Sequence, residues 1–272
     1  MWSRKELKTN AKAALKNYWG KAILAILLTM AIACGGVTVF YIFAIILGVF
    51  GSTGSYDDVV NMQDGSFSAE ISTNNMTEGA SIIFLVLYVI LILFMLFVLC
   101  PISVGLYRFF QKSRGVPTPV TEIFVPLKKC VHIAGAMLLM GIKVYLWTLL
   151  LIVPGIIKAY EYSMMPYVLA ENPEISTKRA FQISKSMTNG HKWDLFVLEL
   201  SFILWELGAS CTCGILYLYL MPYMQATYAE AYYKLKAEAV AKGEVTLMEL
   251  PDICTPAQPP VPPVPPVAPT AM

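Results

Sequence analysis

Five ionisable side chains, Lys143, Lys158, Glu161, Glu199 and Glu206, lie within or beside apolar stretches of the chain. A charge in such a place survives only with a partner or a polar cavity around it, which makes these residues the default functional candidates. Depth along the stretches pairs Lys143 with Glu199 and Lys158 with Glu206. Glu161, one helical turn along, is a second partner open to Lys158. Such pairs either hold short helices together or line a polar cavity for a substrate or a proton relay. A further constellation, Gly190-His191-Lys192, joins a conformationally free residue, an imidazole able to serve as acid or base and a cation. It either caps and anchors a following helix or binds a phosphate or lipid headgroup. His132, beside Lys128 and Lys129, reads as interfacial.

Metal and nucleophile chemistry find no comparable support. Six cysteines, at 34, 100, 130, 211, 213 and 254, are scattered and share no zinc spacing with the two histidines. No HExxH, GxSxG or phosphate-loop pattern occurs. The residues point to no catalytic set, no metal and no cofactor, and the expectation is a protein that is not an enzyme.

The elements that must position these residues are set by composition. Apolar residues make up 57% of the 272 residues and charged ones 14%, too few charges to cover a water-soluble surface. A membrane helix needs about 20 apolar residues. Stretches 22–50, 80–107 and 133–153 qualify directly, and the apolar run from 22 is far longer than a signal-peptide core, so no processed leader is expected. Stretch 156–170 is short, with Pro154-Gly155 as the predicted turn before it. Stretch 194–236 is broken by the small residues 208–214 into 194–208 and 214–236.

Lysine and arginine collect on the cytoplasmic side of membranes. Arg4, Lys5, Lys8, Lys12, Lys16 and Lys21 precede the first stretch. Segment 51–79 has acidic residues and no Lys or Arg, and Arg108, Lys112, Arg114, Lys128 and Lys129 follow the second stretch. The pattern predicts an all-α, polytopic transmembrane bundle of six membrane-embedded helices, with both termini cytoplasmic and 51–79 as an outer loop. Residues 1–20 read as a basic amphipathic helix lying on anionic headgroups. Residues 237–272 read as a cytoplasmic tail whose proline-rich end is a solvated spacer or a docking strip for a protein partner with an aromatic groove. Nucleic acid is not an expected partner, since a membrane-tethered basic helix has lipid headgroups within reach; the net charge of +2 says nothing either way.

Longer patterns carry a resemblance. The segment Trp147-Thr148 through Pro154-Gly155-Ile156-Ile157-Lys158-Ala159-Tyr160-Glu161-Tyr162 to Pro166-Tyr167 is followed by Gly190-His191-Lys192, Ser201-Phe202 and Met221-Pro222-Tyr223. With Ser3-Arg4, Leu7-Lys8, Ala11-Lys12 and Tyr18-Trp19 these resemble a bacterial membrane protein family known as Domain of Unknown Function 975, over nearly all of 1–236. The resemblance implies a multi-pass protein of the bacterial plasma membrane and assigns no reaction. The functional expectation is a non-catalytic cell-envelope protein acting through lipids or protein partners. The alternative is a transporter or lipid-handling protein with a polar cavity around Lys143 and the buried glutamates.

Overall fold

The first helix, α1 (Arg4–Leu15), places Leu7, Ala11 and Leu15 on one face at spacings of four, and all three are completely buried. That face packs on the last helix, α10 (Tyr217–Ala241). It therefore meets protein, where the sequence predicted lipid. An amphipathic pattern records that one face needs an apolar partner and says nothing of whether the partner is acyl chain or side chain. Arg4, Lys5, Lys12 and Lys16 remain exposed on the other side.

The computed structural model describes residues 4–16, 18–53, 78–115, 118–212, 214, 216–251 and 253, and every regular element among them is helical. In order these are α1, α2 (Trp19–Thr53), α3 (Glu78–Phe94), α4 (Cys100–Ser113), α5 (Cys130–Leu150), α6 (Ile152–Tyr162), α7 (Met165–Glu171), α8 (Thr177–Thr188), α9 (Lys192–Cys211) and α10. A π turn at Met95–Leu99 joins α3 to α4, and a 3₁₀ helix at Val120–Lys129 leads into α5. The π turn has a local cause. Pro101 has no N–H to give the carbonyl of Phe97 and its ring would crowd that carbonyl, so the helix widens one turn earlier. Continuous helix is thereby carried to Ser113, six residues beyond the predicted end at 107.

Three stretches, Trp19–Ile46, Phe84–Ser113 and Val120–Leu150, are long and apolar enough to cross a membrane. Their walls are open: Val39 in α2 is 68% exposed, Leu85 in α3 63% and Leu149 in α5 71%. The buried core centres where α1, α4, α7, α8 and α10 meet, with residues of α2, α5, α9 and the 3₁₀ helix packed into it. Small α7 lies in the middle of this region with all seven residues buried.

Several predicted boundaries move. The chain turns at Leu151, which is extended (φ −159°, ψ 135°), and not at Pro154-Gly155. Pro154 falls in the first turn of α6, where a missing N–H costs nothing because that donor has no helical partner. Gly155 lets α6 lie against α5, since a Cβ there would sit 2.6 Å from the Cα of Thr148. The single predicted helix 156–170 is two, α6 and α7, because Pro166 in the first turn of α7 cannot continue the helix before it. Between the end of α9 at Cys211 and the start of α10 at Tyr217, Gly214 is in the left-handed region (φ 84°). Of the predicted tail, α10 extends to Ala241, and Val245 and Leu250 are buried in the core. Residues 254–272, with most of the proline run, and 54–77, the bulk of the predicted outer loop, lie outside the described residues.

Candidate functional site

Glu161, near the end of α6, is 4% exposed at its side chain and collects two lysines. Lys158 Nζ, one turn back, lies 2.9 Å from Oε1, and Lys192 Nζ, at the start of α9, lies 2.7 Å from Oε2. The Glu161 carbonyl accepts from Ser184 Oγ (2.8 Å) and Thr188 Oγ1 (3.2 Å) on α8. One residue thus ties three helices together through both ends of its polar inventory.

A second group of charges surrounds α7. A helix end leaves its last carbonyls without helical partners, and a buried end needs other donors. Gln111 Nε2 donates to the Tyr167 carbonyl (3.1 Å), and Arg108 Nη1 donates to those of Ala170 (2.7 Å) and Glu171 (3.3 Å). The guanidinium also complements the negative end of the helix dipole. Arg108 is itself held by Glu122, which pairs with Lys112 as well. The Glu171 carboxylate accepts from Tyr232 Oη and pairs with Lys236 Nζ at 2.5 Å, with side chains 0% and 6% exposed for Glu171 and Lys236. Arg114 pairs with Glu230, and Lys234 with Glu6 of α1.

Beyond α10 the chain folds back as a clasp. Arg179 of α8 donates from Nε and Nη2 to the two carboxylate oxygens of Glu249, at 2.8 and 2.9 Å, and from Nη2 to the Glu244 carbonyl. Asn172 Nδ2 donates to the Glu249 carbonyl. The hydrogen bond from Arg179, helped by the amide and hydroxyl of Thr246, holds the Glu249 carboxyl down to about 2, below its ordinary 4.5, against a smaller opposing effect of burial. A depressed folded-state value means the clasp contributes fully above about pH 4.5 and is lost as pH falls toward 2. Protection of 242–250 against hydrogen exchange, taken relative to the intrinsic rate at each pH, is therefore expected to hold down to about pH 4.5 and to fall below it. Arg179→Gln should lower it at neutral pH; equal protection in both proteins at pH 7 would refute the clasp.

The predicted site residues are redistributed. Lys143 does not pair with Glu199, nor Lys158 with Glu206. Lys143 Nζ stands 3.7 Å from the ring centre of Phe181 and 5.9 Å from that of Tyr162, a cation–π contact at the outside of the bundle. Lys158 takes Glu161, the alternative partner, and faces the Trp147 ring. Glu199 accepts from the Tyr160 hydroxyl, and no ion pair of Glu206 is found among the described residues. The pairing failed because equal depth does not mean equal azimuth: each residue rotates a helix by about 100°, so groups at one level face in different directions.

Gly190 (φ 85°) ends α8 in the left-handed region that glycine adopts without strain. His191 is the cap residue of α9, with no side-chain cap bond, and its ring lies between two carboxylates. Nδ1 is 3.2 Å from Asp194 and Nε2 is 2.7 Å from Glu238. Lys192 reaches Glu161 as described. His132 Nε2 contacts the Ile175 carbonyl at 2.8 Å. Reasoning from sequence missed Arg108, Glu122, Glu171, Lys236, Arg179 and Glu249. Their signal was faint, because charges at helix ends look like a solvated rim until the helix they serve is known to be buried.

Near the end of α8 lies a cleft of about 300 Å³ lined by Gln182, Lys185, Ser186, Asn189, Lys192 and Glu244. Among the described residues no group of three or more His, Cys, Asp or Glu side chains is placed to hold a metal ion.

No curated protein and no solved structure matches this chain. The family model described as "Protein of unknown function (DUF975)" matches residues 1–239, from α1 to within two residues of the end of α10, and the chain belongs to that family.

Proposed function

We propose that this protein is a multi-pass, non-catalytic component of a bacterial plasma membrane, with six membrane-embedded helices and both termini in the cytoplasm. It acts there through lipid headgroups and protein partners. The observation that carries this reading is the polarity of the molecule. Ion pairs gather around α7 and the end of α10, while the walls of α2, α3 and the α5–α6 hairpin expose apolar side chains. From Leu149 to Val153 every residue is between 63% and 71% exposed, a surface that water does not tolerate and acyl chains do. Apart from Lys143 and Lys158, lysines and arginines fall on one side of this arrangement if α5 and α6 form an outward hairpin and α9 and α10 a second one. The exposed Arg4, Lys5, Lys12 and Lys16 of α1 then face an anionic leaflet, each contributing about 1 kcal/mol of attraction near the surface.

Labelling tests the topology. In a variant without native cysteines, Asp64→Cys in intact cells is expected to react with a membrane-impermeant maleimide. Asn189→Cys and Thr246→Cys should react only after permeabilisation. Labelling of either inner site in intact cells would overturn the six-helix arrangement.

A further inference from the structure

The cleft beside α8 has a lining with no apolar side chain and with charges of both signs. Gln182, Lys185, Ser186 and Asn189 recur at spacings of three and four, which puts them on one face of α8 and its last turn. The left-handed turn at Gly190 brings Lys192 round to the same space. Contact with Glu161 fixes the ammonium of Lys192, whereas Lys185 forms no ion pair among the described residues. Glu244 enters from the turn after α10, where Gly243 has φ 72° and Arg179 holds the Glu244 carbonyl at 3.0 Å.

Two ammonium groups and two amides suit a phosphate, but Glu244 would repel a simple anion. A simple cation would be repelled by the lysines. A ligand with a phosphate next to a primary ammonium satisfies both signs at once. About 300 Å³ lies at the small end of ligand pockets, and a lining without apolar residues favours a polar headgroup over an acyl chain. We infer that this cleft binds a phosphoethanolamine-type zwitterion, its phosphate on Lys185 and Lys192 and its ammonium on Glu244. That group can belong to a membrane lipid or to a free phosphodiester, and the site does not depend on the number of membrane spans.

The test uses the full-length protein in two arms. In detergent, glycerophosphoethanolamine and glycerophosphoglycerol are titrated by calorimetry. In nanodiscs of equal phosphatidylethanolamine and phosphatidylglycerol, retained lipid is read by native mass spectrometry. The ethanolamine compound is expected to be preferred. Lys185→Gln should weaken both compounds about tenfold, equivalent to about 1.4 kcal/mol, and Glu244→Gln should abolish the preference while sparing the phosphate. A Glu244-dependent preference in the detergent arm alone assigns the free compound; one in the nanodisc arm, alone or with the other, assigns the lipid. If neither arm shows a preference that Glu244→Gln removes, the proposal is overturned, whatever the labelling pattern says about topology.

Discussion

Lys236→Met is expected to destabilise the protein by about 3–5 kcal/mol, the cost of stranding a buried carboxylate. Glu171 has no exposed side-chain surface, and Lys236 is its ion-pair partner on α10. The Tyr232 hydroxyl still donates to Glu171 in the variant, but a neutral donor does not replace a cation in a site closed to water. The damage spreads because α7 is held from both sides, by Arg108 and Gln111 of α4 at its carbonyls and by Lys236 at its terminal carboxylate. Thermal unfolding in detergent, followed by size-exclusion fluorescence, reads the loss. Adding Glu171→Gln to Lys236→Met removes the stranded charge and should recover a large part of it. A single variant within about 1 kcal/mol of the parent would show that Glu171 finds another cation or takes up a proton at little cost.

Gly105→Val should have the second large effect. Helix α4 crosses the 3₁₀ helix so closely that a Cβ on Gly105 would lie 1.9 Å from the Ile123 carbonyl oxygen and 2.9 Å from its Cα. The obstacle is backbone, which cannot swing aside as a side-chain tip does. The two elements must separate, and overpacking of this kind costs about 1–3 kcal/mol or more. The same shift would draw Glu122 away from Arg108 and Lys112, so the loss should couple non-additively with Glu122→Gln in a double-mutant cycle. Gly135→Ala on α5 is the control. Nothing lies within 4 Å of its Cβ position, and replacing a helical glycine should raise stability by about 0.5–1 kcal/mol. If Gly105→Val and Gly135→Ala unfolded alike, the close crossing would have no energetic weight.

The exposed walls of α2 and α5 were legible in the sequence because a run of apolar residues acts through its total, which survives errors of a few residues at either end. The turn between α5 and α6 was not. Pro154-Gly155 is a strong turn signal taken alone, yet proline is equally at home in the first turn of a helix, and the local sequence does not distinguish the two. Moving the turn three residues back to Leu151 rotates every later side chain, including Lys158 and Glu161. Pro166 carried the opposite lesson: its break between α6 and α7 could be read locally, but a prediction of one short span passed over it.

The sequence by itself determined the helical class, the long apolar segments, the placement of basic residues around them and membership of the family. All four depend on composition and on local order along the chain. Tertiary structure alone decided which cation meets which carboxylate. It seated the apolar face of α1 on α10 and buried α7 whole, with its carbonyls served by α4. It folded residues 242–251 back onto α8 and brought Glu244 to the cleft of Lys185 and Lys192. Each of these depends on the azimuth of one helix relative to another. A shift of one residue turns that azimuth by about 100°, so the contacts stay undetermined until the whole chain is packed.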